Sequence, residues 1–274
     1  GAAALAAAGG REAELAAIML GDMRCAFAWA EAESRFDRAA PATAATRTAA
    51  GWRLDGRKVV VTAAPYATHL LVTARDGDEP ALFLVETDAA GLSLQSYPMI
   101  DGRRAADIVF DAVSLPEAAL LLRGEEAIER LCDIATALLG AEALGVMRVM
   151  LDDTISFTKE RRQFGQPIAS FQVLQHRMVD MYMQIELATS AVYRAVLNLD
   201  AAPAERARAV SAMKVTVAGA CRFVGQNAIQ LHGGMGMTDE VRVSHYFRRA
   251  TVIESEFGSA DWHRRRFAAL SRAG

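Results

Sequence analysis

Cysteine is scarce: Cys25, Cys132 and Cys221 are the three in 274 residues, widely spaced and in apolar contexts. That spacing reads as buried thiols in a reducing cytoplasm rather than as a disulfide framework or a metal site. An excess of one charge is missing too. Thirty basic residues face 33 acidic ones, net −3, so the chain has no general attraction for nucleic acid or for an anionic membrane. No apolar run reaches the roughly 20 residues that a membrane span needs. The Ala-rich start, GAAALAAAGGREAEL, carries no basic residue ahead of its apolar part and does not read as a signal peptide. Repeats and low-complexity linkers are absent as well. What is present is bulk: 52% of the residues are apolar, enough for a large core and two domains.

The hydrophobic period divides the chain. Residues 1–21 read as short helix. Over 22–118 come brief strand-like runs, Cys25–Trp29, Lys58–Thr62, Leu70–Thr73, Ala81–Glu86 and Ile108–Phe110. They are punctuated by Asp55-Gly56, Asp76-Gly77-Asp78 and Asp101-Gly102, the pattern of a compact β-domain. Over 119–274 the helical period returns. Ile128, Leu131, Ile134, Leu138, Leu139, Val146, Met150 and Ile155 mark one long helix. Further helices follow near 170–199, from Pro203 to Gly233, near 240–254 and near 259–271, a bundle of four or five. The class is therefore α+β and multidomain.

Two stretches carry chemistry. Arg161 to Met181 reads RRQFGQPIASFQVLQHRMVDM. Phe171, Leu174, Met178 and Met181 form one helical stripe. Gly165 and Pro167 forbid that helix from simply continuing the previous one, so a connector turns between them. The connector bears Arg161, Phe164, a backbone-exposing Gly and Gln172. That set suits a phosphate and a flat ring, and it also suits an ordinary helix–helix turn. The second stretch, Gln230-Leu231-His232-Gly233-Gly234-Met235-Gly236-Met237, ends a helix. Its glycines cap that helix and also allow another backbone or a flat ligand to come close. His232 by itself reads as a packed helix-end residue rather than a catalytic one.

The wording of these stretches resembles the acyl-CoA dehydrogenase family, whose signature is an Arg, two residues, Phe-Gly, then Phe-Gln. Matches run in order across nearly the whole chain. The resemblance implies the acyl-CoA dehydrogenase fold, with its N-terminal helical domain mostly missing from 1–21, a middle β-domain over 22–118 and a C-terminal helical bundle over 119–274. It implies FAD as cofactor, with Arg161, Phe164, Gln172, Gln230, Gly233 and Gly234 serving the diphosphate and adenine half of a neighbouring subunit's FAD. Thr62 survives from a Trp-Ile-Thr segment that faces the flavin ring. Chemistry at the α and β carbons of an acyl thioester needs a carboxylate base, a hydride acceptor and donors to the thioester carbonyl.

The family places its base at one of two positions, and neither is filled in register. The helical position falls on Ala135, and the Arg that often follows it falls on Thr136. Asp133 lies about 200° away around the helix. The other position, the Glu of Tyr-Glu-Gly-Thr, falls on Phe257, leaving Glu256 and Glu254 as displaced candidates whose plainer reading is polar surface or interface. The Thr-Glu-Pro-Gly-x-Gly-Ser-Asp segment reads Ala30-Glu31-Ala32-Glu33-Ser34-Arg35-Phe36-Asp37, without the Thr, Pro or glycines, and the flavin-packing Trp is Val60. Residues for a subunit's own flavin ring are eroded, whereas those serving a neighbour's FAD are kept. The pattern resembles the small, non-catalytic subunits of heteromeric acyl-CoA dehydrogenases of the pimeloyl-CoA and steroid side-chain type. It implies a cytoplasmic heterotetramer in fatty acid or steroid side-chain degradation, with a partner subunit that carries the catalytic Glu. An acyl-CoA substrate and electron-transfer flavoprotein as acceptor complete the expectation. The alternatives are a self-sufficient dehydrogenase with Glu256 or Glu254 as base, and a flavin-free scaffold.

Overall fold

The structure is a computed structural model that describes residues 1–34 and 36–272. Two compact units divide the chain, one from Gly1 to Leu131 and one from Cys132 onward. The first opens with two short helices, α1 (Ala2–Ala8) and α2 (Glu12–Leu20). Eight strands follow among the described residues: β1 (Cys25–Ala28), β2 (Ala44–Thr48), β3 (Gly51–Thr62), β4 (His69–Asp76), β5 (Glu79–Glu86), β6 (Leu92–Pro98), β7 (Arg104–Leu115) and β8 (Leu120–Arg123). They form one sheet in the order β6-β7-β3-β2-β4-β5-β8, with β1 beside β4. The β1–β4 and β2–β4 pairs are parallel. The β2, β6 and β8 strands go beyond the sequence expectation. The β6 strand, LSLQSYP, alternates half-buried and exposed positions, so its apolar signal is weak.

One interaction inside this sheet was not foreseen. The β3 strand is irregular against β7 between Lys58 and Val61. Side chains an odd number apart normally point to opposite faces. The extra residue brings both Lys58 and Val61 inward and leaves Val60 outside, 52% exposed. Lys58 is fully buried. Its ammonium donates to Glu31 Oε1 at 2.7 Å and to Thr73 Oγ1 at 2.9 Å. The Glu31 carboxylate also accepts the Ala42 amide at 2.6 Å and the Thr43 amide at 3.0 Å. Burial pulls the Lys58 ammonium down to about 8, although Glu31 works the other way. Burial pushes the Glu31 carboxyl up, but the Lys58 charge and the Thr43 hydrogen bonds outweigh it and leave it below the usual range.

The second unit is a helical bundle. Its helices are α3 (Glu125–Glu160, which starts within the first unit), α4 (Gln172–Leu197), α5 (Pro203–His232), α6 (Arg242–Ser255) and α7 (Ala260–Arg272). The core gathers Met147, Met150, Met181, Ile185, Val210, Met213, Val217, Val224 and Ile253. Leu138, expected on the inner stripe of α3, is 67% exposed instead. By length and composition α3 is the one described helix able to cross a membrane, and 56% of its apolar stretch is buried. The sequence expectation of no such stretch is corrected to that extent. Between α3 and α4 the connector is a small hairpin, β9 (Arg162–Gln163) with β10 (Gln166–Pro167). Its two-residue loop, Phe164-Gly165, has φ of 54° and 77°, the left-handed pair that a tight hairpin of this length requires.

Replacing Lys58 by Met strands a buried carboxylate, which costs about 3–5 kcal/mol. Lys58→Met is expected to destabilise the first unit by that order, and adding Glu31→Gln to recover part of the loss. Because the folded-state Glu31 value is depressed, its contribution is present above the unfolded value of about 4.3. It fades as pH falls through the folded one. Denaturant unfolding followed by the fluorescence of Trp29 and Trp52, at pH 7 and in acid, checks both statements.

Candidate functional site

The end of α3, the hairpin and the end of α5 enclose a cavity of about 610 Å³ within the second unit. Phe157 is in the last turn of α3, and Arg161, the residue just past the helix, still gives its amide to the Phe157 carbonyl at 2.9 Å, while Gln163 comes from the hairpin. Gln230, His232, Gly233 and Gly234 come from the last turn of α5 and the tight turn after it. Arg161 is the charged group in this lining, and its guanidinium makes no hydrogen bond or ion pair with another described residue. An unpaired guanidinium beside exposed backbone is an anion site in waiting, since its planar fork matches phosphate oxygens.

The two glycines differ in what requires them. Gly233 has φ 58° and ψ −140°, a backbone region open to glycine alone. Gly234 has no such backbone, and a Cβ built there meets nothing within 4 Å. Neither its own conformation nor the packing of this chain asks for a glycine at 234. The bare backbone there leaves room for a ligand or a second chain to come close. Gly236 is the contrast, because a Cβ there would sit 2.8 Å from the Ile229 carbonyl oxygen.

Of the residues expected to bind cofactor, the structure brings Arg161, Gln230, Gly233 and Gly234 together. Phe164 stands at the hairpin tip, 89% exposed, with its ring 6.0 Å from Phe171. Gln172 is exposed as the first residue of α4. Neither joins the lining. Thr62 belongs to the first unit, half-buried at the end of β3 opposite Ala105. Phe157, Gln163 and His232 were missed as lining residues. The i, i+4 spacing of Phe157 and Arg161 was the signal that could have found one of them.

The displaced carboxylates are both committed elsewhere. Glu254 pairs with Arg222 through both its oxygens. Glu256 lies 2.9 Å from Arg249, whose other donors grip Glu142 at 2.5 and 2.7 Å. Burial opposes the Arg249 charge, but Glu142 and Glu256 outweigh it and raise the guanidinium above its ordinary value. Asp133 is fully buried between Arg206 at 3.0 Å and Arg266 at 2.7 Å, so it points into the bundle. In the first unit the segment after Ala30 fills its own space. The Phe36 ring stacks 6.5 Å from Trp29, and the Arg38 guanidinium lies 5.7 Å over the same ring. Arg35, read as standing at a family glycine position, lies outside the described residues.

Two family models match the chain, "Acyl-CoA dehydrogenase, middle domain" over residues 26–113 and "Acyl-CoA dehydrogenase, C-terminal domain" over 123–270. The chain is 30% identical over 266 residues to "Probable acyl-CoA dehydrogenase YngJ" of Bacillus subtilis, covering 93% of this chain and 70% of that protein. It is 32% identical over 247 residues to benzylmalonyl-CoA dehydrogenase of Aromatoleum aromaticum, covering 85% and 64%. Among solved structures, a variant of the Tcur3481-Tcur3483 steroid ACAD is 33% identical with a TM-score of 0.90, covering 100% of this chain and 75% of that one. The ChsE4-ChsE5 complex of Mycobacterium tuberculosis has a TM-score of 0.90 at 24% identity over 100% and 74%, a likeness of fold.

The two glycines give a direct check. Gly234→Ala is expected to leave the melting temperature unchanged or raise stability by about 0.4–1 kcal/mol through the unfolded chain. Gly236→Ala, pressed against a carbonyl, is expected to lower it. Thermal melts of the two variants side by side check that the chain's own packing requires glycine at 236 and not at 234.

Proposed function

The chain belongs to the acyl-CoA dehydrogenase family, a family of FAD-dependent oxidoreductases, and from that premise we propose that it is a small, non-catalytic subunit of a heteromeric acyl-CoA dehydrogenase. Its partner supplies the catalytic Glu and the pocket for the flavin ring, and this chain supplies the cavity around Arg161 to the diphosphate half of that FAD. FAD, when bound, supplies the acceptor for the hydride leaving the β carbon of the acyl thioester. The acyl-CoA is drawn from fatty acid or steroid side-chain degradation, and the 33% identity to a steroid ACAD favours the steroid class. Electron-transfer flavoprotein is the proposed acceptor.

The observation that carries this reading is a contrast between groups left available and groups engaged. Arg161 has no partner among the described residues, whereas Glu254 and Glu256 are each held by an arginine. A base must reach the proton that it abstracts within hydrogen-bond distance. Glu256 would first have to leave a half-buried ion pair. The in-register positions, Ala135 and Phe257, offer no carboxylate. Arg161 has the donors for a diphosphate, and Gly233-Gly234 gives the backbone approach beside it, so the diphosphate half of FAD fits this set. The ring half does not fit the first unit, where Ala30, Glu33 and Val60 replace hydroxyl, glycine and Trp, and Phe36 packs on Trp29.

Arg161→Ala is expected to leave this subunit folded and able to associate while the FAD content of the assembled enzyme falls. If Arg161 merely complements the last turn of α3, worth about 0.3–1 kcal/mol, the melting temperature dips and flavin occupancy holds. Absorbance at the flavin bands against protein concentration, paired with a melt, decides between them. The chain expressed alone is expected to hold little FAD. A flavin near one per chain, bleached by acyl-CoA, would overturn the non-catalytic reading. Glu256→Gln and Glu254→Gln are expected to leave the assembled enzyme's rate within a few-fold, since loss of a true base costs about 10²–10⁴.

A further inference from the structure

His232 is held in a way that plain helix capping does not need. Its Nδ1 lies 2.8 Å from the Ala228 carbonyl oxygen. A carbonyl only accepts, so Nδ1 carries the hydrogen and Nε2 is left as an acceptor in the neutral ring. The ring also stacks on Phe157, centroids 4.5 Å apart and planes 25° from parallel. Hydrogen bond and stack together fix the plane and the tautomer, although the residue is 6% exposed. Nε2 has no partner among the described residues. It is also not among the unpaired atoms sealed from solvent, which are Arg38 Nε and Trp52 Nε1. His232 lines the same cavity as Arg161. An acceptor of fixed orientation, not sealed from solvent, thus belongs to the same lining as the Arg161 guanidinium.

These two groups ask for different things. Arg161 offers donors and charge, which suit phosphate. Nε2 offers a lone pair, which a phosphate oxygen cannot satisfy because it too only accepts. We propose that His232 is the residue by which this cavity tells one nucleotide from another. Its Nε2 accepts a hydrogen bond from the donor-bearing part of the ligand, a ribose hydroxyl or the exocyclic amine of the base, while Arg161 takes the phosphates. The inference rests on the nucleotide reading of the cavity given above and adds to it the residue that selects.

ADP, which carries the diphosphate and the adenosine, is the probe, titrated calorimetrically into the full chain. His232→Phe keeps an aromatic ring on Phe157 and loses the acceptor, and His232→Gln returns an acceptor at similar reach. The expected result is that His232→Phe binds ADP about fivefold more weakly, the worth of one hydrogen bond, and that His232→Gln recovers most of the loss. Wild type is expected to prefer ADP over one of 2′-deoxy-ADP, 3′-deoxy-ADP or IDP, and His232→Phe to lose that preference. The analogue that wild type rejects tells hydroxyl from amine. Equal affinity of His232→Phe and wild type for ADP overturns the proposal. When Arg161→Ala weakens ADP and His232→Phe does not, the proposal falls and the proposed function stands. No ADP binding by wild type overturns this proposal, and the FAD content of the assembled Arg161→Ala enzyme then decides the proposed function by itself. If His232→Phe fails to fold, wild type decides alone, because equal affinity for ADP and all three analogues overturns the proposal.

Discussion

Two cations buried along α5 govern the second unit. Arg206 is 2% exposed and Lys214 fully buried, and a charge taken out of water is tolerated only with partners around it. Each partner comes from a different element. Asp133 of α3 receives Arg206, and Arg266 of α7 joins the same carboxylate. Lys214 donates to the carbonyls of Ile253, at 2.9 Å, and of Glu256. Those carbonyls stand at the end of α6, where the last turn has no amides left to receive and a cation is favoured. Ser211, also on α5, pairs with His263 Nδ1 at 3.2 Å, and His263 Nε2 meets the Phe257 carbonyl at 3.2 Å. A carbonyl can only accept, so the hydrogen is on Nε2 and Ser211 donates to Nδ1. Satisfying α5 thus fixes the bundle around it and fastens residues 253–263 to it.

That fastening settles what the segment can do. Its backbone carbonyls are taken by Lys214 and His263, and its nearest carboxylate, Glu256, is taken by Arg249. Freeing Glu256 would take from Arg249, 9% exposed, one of its carboxylate partners. The opposite end of the helix behaves differently. An α-helix of 30 residues is about 45 Å long at 1.5 Å per residue, so the buried charges hold one end while the other projects Gln230 to Gly234 into an open cavity. One element carries a closed end, where the buried charges are satisfied, and an open end, where Gln230 to Gly234 line a cavity. The difference between the two ends follows from how a single helix is secured.

Much of this frame was legible in the residues. The helices were long and strongly periodic, and Pro203 and Gly233 marked both ends of α5 within a residue. Arg161 and Gly233-Gly234 were legible because a free cation and paired glycines at a helix end are local signals. The rest was not local. Nothing in the spacing of Asp133, Arg206 and Arg266, or of Glu31 and Lys58, announces that they meet, because each pair closes over distant sequence. Phe164 and Gln172 stand outside the cavity lining for a related reason. The left-handed φ at Phe164 turns its ring outward at a hairpin tip, a geometry that depends on the pairing of Gln163 with Gln166.

In the first unit the backbone at residue 60 is held without help from its own side chain. Val60 keeps φ 52°, an uncommon conformation for a β-branched residue and one that costs energy unless its surroundings impose it. They do impose it. The Val60 amide donates to Asp107 Oδ1 at 3.1 Å, and Asp107 also accepts the Tyr97 hydroxyl at 2.8 Å and an Arg57 donor at 2.7 Å. Burial pushes the Tyr97 phenol up to about 12, and the Asp107 charge pushes the same way, so the hydroxyl stays a donor. The bulge that turns residue 60 outward is thus held by three hydrogen bonds whatever side chain residue 60 carries. Lys58 and Val61 need that bulge in order to lie on one face of β3. The core therefore has its own reason to keep the turn, independent of any ring packed outside it. The side chain at residue 60 can therefore change without the strand losing its shape, because the hydrogen bonds that hold the bulge come from the Val60 backbone and from Asp107, Tyr97 and Arg57.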